Sequence, residues 1–284
     1  MLKKIIPLLL GLVGITQASH AQNSLLWKIS GKGMTKPSYV FGTMHMICPD
    51  DYFMSESVKK AFKSADTVYM EMDMDDPMMM IKVGQLSQLP EGKTLDKIFT
   101  EKEYKELAAY MKANLKLDLA LFNQFKPLVL TSLLTTKSFK CETPASYEMN
   151  FVEMASEQRK TILGLETPEQ QISVFDAVDD RKEAEMIMKS IREKEKESVT
   201  FNKMITLYKK QDVNGLYKLM KETNEMDGFE EELLTKRNNN WVPAIRKVIG
   251  GKTQFFAVGA LHLAGPHGVL TQLKAAGYTV TPVL

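Results

Sequence analysis

Phe255–Val280, FFAVGALHLAGPHGVLTQLKAAGYTV, is the stretch that decides the fold. Phe255–Val258 is an apolar run of strand length. Gly259-Ala260-Leu261-His262 follows it, then the turn Gly265-Pro266-His267-Gly268. Val269, Leu270 and Leu273 mark one face of a short helix that Gly277 stops, and Tyr278-Thr279-Val280 reads as a returning strand. His262 is therefore expected where a strand ends and a helix begins. That is where open α/β sheets hold their ligands.

The N-terminal part repeats this plan. Tyr39-Val40-Phe41 is a strand, and Gly42-Thr43-Met44-His45 has the same G-x-x-H spacing. A helix capped by Ser55 or Ser57 follows, with Val58, Ala61 and Phe62 on its apolar face, and Thr67–Asp73 returns as a strand. With 16 Gly and 4 His in 284 residues, chance supplies about 0.2 such spacings; two occur, each directly after an apolar strand. If both strands lie in one sheet, both histidines can reach one cleft. The plainer alternative is that each glycine permits a tight turn and each histidine caps or fills a loop.

Composition sets the frame. A hydrophobic fraction of 44% with 25% charged residues is ordinary for a globular chain, and a net charge of +2 without a basic cluster argues against nucleic-acid binding. Lys3-Lys4, the apolar Ile5–Val13 and Ser19-His20-Ala21 have the three regions of an export leader spanning residues 1–21. A mature chain starting near Gln22 is expected in the periplasm or outside the cell. The leader is too short for a membrane span, and no later run reaches that length. Cys48 and Cys141 are the only cysteines. In an oxidising compartment an even pair favours a disulfide, with buried thiols or a nucleophilic cysteine as the alternatives.

Between the two units the chain reads as largely helical, with no linker, so residues 22–284 are taken as one domain. Leu25–Ser30, the Gly31-Lys32-Gly33 turn and Tyr39–Phe41 form a hairpin. Asp76-Pro77 signals a helix start, and Thr100 with Glu103 forms a capping box that opens a helix from Glu101 to about Lys112. Further helices are expected over Asp118–Lys137, Ser146–Arg159, Asp179–Gln211, Val213–Glu222 and Phe229–Ile249, with a strand at Lys160–Gly164. A second capping box, Thr167 with Gln170, follows that strand. In the long Asp179–Gln211 stretch, Met186, Ile187, Ile191 and Val199 form the expected apolar thread. The fold class is mixed α/β: a central mixed sheet made by two strand–GxxH–helix–strand halves around a helical middle.

Four further residues join the candidates. Glu71 and Asp73 alternate with methionines and would share one strand face; acids at a strand end can bind a metal or act as a general base. A solvated edge is the alternative. Glu166 falls at a strand end beside a helix N-terminus, where a capping role is also open. Arg237 can hold a carboxylate or an oxyanion through its fork, or be an ordinary exposed helix arginine. The methionines at 70, 72, 74, 78, 79 and 80 invite a copper reading, but an apolar wall or core explains them better. His267 is either a third ligand or part of a turn. H-E-x-x-H, G-x-S-x-G, phosphate-binding glycine loops and C-x-x-C are absent.

Leu25–Ser30, Tyr39–His45, Met70–Asp73, Leu163–Thr167, Arg237–Trp241 and Val258–Val269, in that order, resemble the TraB/GumN family. That family is related to the Tiki metalloproteases and more distantly to erythromycin esterase-like and ChaN-like proteins. The resemblance spans essentially the whole mature chain. It implies a mixed α/β fold that brings the two GxxH loops together, and a divalent-metal hydrolase acting on a peptide or small-protein substrate. Mn²⁺ or Co²⁺ is the implied metal, with Zn²⁺ possible. By position, His45 and His262 match the motif histidines, Glu71 and Glu166 the two glutamates, and Arg237 the Arg-Asn element. The resulting expectation has His45, Glu71 and His262 as metal ligands and Glu166 as general base or further ligand. Arg237 would steady an oxyanion or position substrate. Glu71 and Glu166 can exchange roles. A metal-free esterase-like enzyme with a histidine base, and a peptide-binding protein without turnover, are the two alternatives.

Overall fold

A computed structural model describes residues 23–136, 139–223 and 229–284; the expected leader lies outside the described residues. Six strands form one mixed sheet. They are β1 (Leu26–Ser30), β2 (Ser38–Thr43), β3 (Thr67–Met70), β4 (Thr161–Gly164), β5 (Gln254–Gly259) and β6 (Thr279–Val283). Their order is β4-β3-β5-β2-β1-β6. Apolar β5, buried along nearly its whole length, is the centre, with β2 and β3 parallel to it on either side. β4 extends the parallel set beyond β3. The hairpin strand β1 pairs antiparallel with β2 and with β6, so the first and last strands close the other edge together.

The helices are α1 (Glu56–Ser64), α2 (Met79–Leu86), α3 (Leu95–Ile98), α4 (Glu101–Leu115), α5 (Pro127–Thr135) and α6 (Tyr147–Glu157). They continue as α7 (Pro168–Asp176), α8 (Asp180–Arg192), α9 (Lys194–Lys209), α10 (Val213–Thr223), α11 (Arg237–Val248) and α12 (Val269–Ala275). Local chemistry accounts for several of their starts. Ser55 caps α1, and both capping boxes form, Thr100 with Glu103 on α4 and Thr167 with Gln170 on α7. Among the described residues no helix is long and apolar enough to cross a membrane.

Three helical expectations change. Asp118–Lys137 is not one helix: Asp118 caps a short 3₁₀ turn, Leu119–Phe122, and α5 begins only at Pro127. The residue before a proline is driven to extended backbone, as Lys126 is, so the helix cannot run through. Asp179–Gln211 breaks at Glu193 because its halves bury faces in different places. On α8, Ala184, Ile187 and Met188 join a helical cluster with Leu95, Leu107, Met111 and Leu130; on α9, Ile205 and Tyr208 join the core over the sheet. One straight helix could not serve both, and two residues of the expected thread, Met186 and Val199, are 38% and 55% exposed. The third change is at Phe229–Ile249, where a π-helical turn, Glu231–Lys236, precedes α11. The methionines divide as side chains of wall and core: Met70 and Met79 are buried, Met78 and Met80 exposed.

Cys48 and Cys141 form a disulfide, Cα–Cα 5.7 Å, closing a sequence separation of 93 residues. Beside it, Ile47 and Ala145 exchange two backbone hydrogen bonds (3.0 and 2.7 Å). The loop carrying His45 is thereby fastened to the start of α6. Replacing both cysteines with alanine is expected to cost about 2–4 kcal/mol, read as a lower denaturation midpoint in urea with an intact far-UV spectrum.

Glu183 on α8 supplies a pH test. Burial and the neighbouring Asp180 raise its carboxyl from 4.5 to about 7. The folded state therefore holds its proton more tightly than the unfolded state. Stability is undiminished below pH 4.5 and declines as pH rises towards 7. Glu183→Gln should match the parent at pH 4 and exceed it at pH 8 by about 1 kcal/mol, solvent access reducing the full linkage value. Equal melting temperatures at both pH values would refute this.

Candidate active site

Four parallel strands end on one edge of the sheet, and each delivers a candidate. Met70 pairs with Ala257 and Gly164, and Thr43 with Gly259, so the ends of β2, β3, β4 and β5 are nearly level. His45, Glu71, Glu166 and His262 all lie just beyond them. Both motif glycines answer to close packing here. A Cβ on Gly42 would meet Leu263 Cδ1 at 2.9 Å and Ala260 Cα at 3.0 Å, so only glycine lets the His262 turn lie against β2. Gly259 donates its N–H to Glu71 Oε1 at 2.7 Å, and a Cβ there would stand 3.2 Å from that oxygen.

Arg237 gathers three of the candidates. Its Nη2 donates to Glu71 Oε2 and to Glu166 Oε1, each at 2.6 Å. Nε lies 3.1 and 3.2 Å from the two Glu166 oxygens. Nη1 donates to the Leu233 carbonyl (3.2 Å) and to His262 Nε2 (3.0 Å). The π-helical turn before α11 carries that carbonyl; such turns recur at functional sites. One helical turn on, Trp241 lies under the guanidinium, 4.6 Å to the ring, and donates its indole N–H to Glu166 Oε2 at 3.0 Å. Gln171 on α7 donates to Glu71 Oε2 at 3.3 Å.

These bonds fix protonation. An arginine can only donate, so His262 Nε2 carries a lone pair and Nδ1 carries the hydrogen, directed at Asn238 Oδ1 at 2.7 Å. Asn238 is oriented in turn by donating to the His267 carbonyl at 3.0 Å. Burial, with Arg237 adding to it against the pull of Glu71, lowers His262 to about 3; the ring is neutral. Burial would raise the Glu71 carboxyl, but Arg237, the two histidines and the Gly259 N–H outweigh it and hold the group at about 2. Glu166 shifts the other way: burial raises it further than Arg237 and Trp241 pull it down.

His45 stands apart from this floor. Its side chain is 68% exposed, and Nδ1 lies 2.9 Å from Glu148 Oε1. Thr43 donates to the same oxygen at 2.6 Å and Ser146 to the other at 3.0 Å. Withdrawal from bulk water opposes protonation of His45, but the Glu148 carboxylate outweighs it and raises the imidazole to about 9, Glu71 assisting. Asp73 leaves the group: β3 ends at Met70, and Asp73 turns towards Asp75 and Asp76. His267 contributes its carbonyl, with its ring exposed. Glu148 and Gln171 went unnoticed in the sequence, and Asn238 and Trp241 stood in the Arg237–Trp241 segment without a role of their own. Spacing alone could have found Trp241, one helical turn beyond Arg237.

A divalent metal does not fit this arrangement. Arg237 occupies the lone pairs of His262 Nε2, Glu71 Oε2 and Glu166 Oε1. Among the described residues, no group of three or more His, Cys, Asp and Glu side chains stands ready to hold a metal ion.

Relatives place the chain. It is 31% identical to Metalloprotease TIKI2 of Danio rerio over 31% of this chain and 17% of the relative. It is 22% identical to Metalloprotease TIKI1 of Danio rerio over 91% of this chain and 63% of the relative. With the Metalloprotease TIKI homolog of Nematostella vectensis it shares 21% over 91% of this chain and 66% of the relative. The chain thus spans less than two thirds of the length of these relatives. No solved structure matches it. The model of the TraB/PrgY/gumN family matches residues 25–282, and the chain belongs to that family.

Proposed function

We propose that this protein is a hydrolase that cleaves peptide bonds in a peptide or small-protein substrate bound along the C-terminal edge of the sheet. The observation that carries this reading is the convergence of His45, Glu71, Glu166 and His262 on one edge, from strands scattered along the chain. The metalloprotease names of the relatives support the reaction class. We assign His45 to the substrate. Its Nδ1 is held by Glu148, and the remaining ring nitrogen can donate to the carbonyl oxygen as charge develops there, or pass its proton to the departing nitrogen. The ion-paired floor beneath keeps the other groups fixed. Dependence on a divalent metal, Mn²⁺ or Co²⁺ before Zn²⁺, belongs to the same proposal on the strength of the relatives' metalloprotease names alone, since Arg237 engages the floor's donor atoms, and export to the periplasm or beyond belongs to it as well. The leader pattern and the Cys48–Cys141 disulfide support export.

One feature favours a second reading, a peptide-binding protein without turnover: the floor groups are all paired with one another, leaving no free base among them. A single experiment separates the two. Protein stripped with chelator is re-loaded with Mn²⁺, Co²⁺ or Zn²⁺ and incubated with a diverse peptide mixture, and products are read by mass spectrometry. Hydrolysis restored by metal and reduced about 10²–10⁴-fold in His45→Ala is expected of the enzyme. A folded protein that yields no products with any metal, yet retains peptides from the mixture, would favour the binding reading.

A further inference from the structure

β4 is an outer strand of the sheet, paired with β3 alone. Successive residues of a strand aim their N–H and C=O groups at opposite edges. Leu165 donates to the Met70 carbonyl at 2.8 Å, so Leu163 and Thr161 turn the same way, towards β3. Ile162 and Gly164 therefore aim theirs outward, and among the described residues no loop or cap is hydrogen-bonded to them. Thr161, Leu163 and Gly164 are exposed; only Ile162 is buried, in the core with Phe151 and Ala155 of α6. On the opposite face Leu163, 39% exposed, stands directly across from the half-buried Tyr69 of β3. The far edge of the sheet is different. There β6 carries Pro282, which has no N–H, a common way of blunting an edge. β4, Thr-Ile-Leu-Gly, has neither proline nor charge.

We propose that the outer edge of β4 receives the peptide as an added strand. Its main chain bonds to Ile162 and Gly164, and its alternate side chains pass over Leu163 and Tyr69. The inference rests on the peptide reading above and names where that peptide is held. A row of unpaired backbone donors and acceptors is complementary to another extended main chain and to little else. Two observations choose a peptide over the same edge of a second copy. β4 runs directly into Leu165 and Glu166, so a strand paired with it ends beside the floor of the candidate site. Its four residues also form too short an edge to hold two whole chains together.

Proline at either position would remove an outward N–H, but Ile162 packs in the core and a Cβ on Gly164 would stand 2.7 Å from the Glu166 carbonyl oxygen. The peptide is altered instead. The probe is an acetylated, amidated octapeptide of alternating valine and lysine, beside a counterpart N-methylated at every residue, which keeps the side chains and has no N–H to donate. Amide hydrogen exchange of the chelator-stripped protein is read residue by residue by NMR. In about 2 mM peptide the Ile162 and Gly164 amides should exchange at least about 5-fold more slowly, the factor 1 + [L]/Kd for a Kd of about 0.5 mM. Leu163, already bonded to β3, should not change, and the N-methylated peptide should slow none of the three. Unchanged exchange at Ile162 and Gly164 overturns the inference, as does equal slowing by both peptides. Slow exchange there without peptide, in a protein that sediments as a dimer, overturns it too, because a second copy then holds the edge. Cleavage of the same peptide is followed separately, by mass spectrometry in metal-loaded protein. Slowed exchange with no cleavage supports the edge and counts against the hydrolase; cleavage with unchanged exchange does the reverse.

Discussion

The fold depends on how a single guanidinium is kept inside it. Arg237 has its side chain almost wholly out of water, with the Glu71 and Glu166 carboxylates buried against it. Such charges are tolerable only together: stripping one partner from a buried pair typically costs about 3–5 kcal/mol. The partners come from the ends of β3 and β4 and the start of α11, and the fourth contact, His262, from the turn after β5. Correct pairing of this cluster therefore requires the N-terminal half, the middle and the C-terminal unit to be in register at once.

His45 is governed by different forces. It has no share in the buried cluster, and its position is set by a tether: the disulfide and the Ile47–Ala145 backbone pair bring its loop to the first turn of α6, where Glu148 waits. Glu148 is in turn fixed by Thr43, the last residue of β2, and by Ser146, the cap of α6. The two motif histidines thus share a spacing and a sheet edge but hold opposite states. One is neutral, buried and accepting; the other is open and positively charged.

How far the sequence discloses this depends on the range of the interaction. Strands and caps are written locally. The apolar run at Phe255, the boxes at Thr100 and Thr167 and the cap at Ser55 all form where side-chain pattern places them. The four-residue convergence is nearly as legible, because strand ends in a parallel sheet gather on one edge. The break at Glu193 is hidden, since it follows from where two helix faces find their partners. Glu148 is hidden for the same reason. In the chain it is an ordinary acid in a first helical turn, and only folding brings it to His45, 103 residues away. Arg237 could be named but not understood, because nothing in Arg-Asn-Asn-Asn-Trp shows that three other segments will close around it.

Charge connects the cleft's two parts. With His262 neutral, the buried cluster carries two negative charges and one positive, and burial, with Glu71 adding to it, makes Glu166 hold its proton more readily than an ordinary carboxyl. The imidazolium of His45 feels Glu71 as well as Glu148, so part of the missing positive charge is supplied from outside the cluster. Raising the positive charge at the centre would loosen the hold on that proton, and lowering it would tighten the hold. The field of the floor thus adds to the larger effect of Glu148 on the protonation of His45, the motif histidine that stands outside the buried cluster.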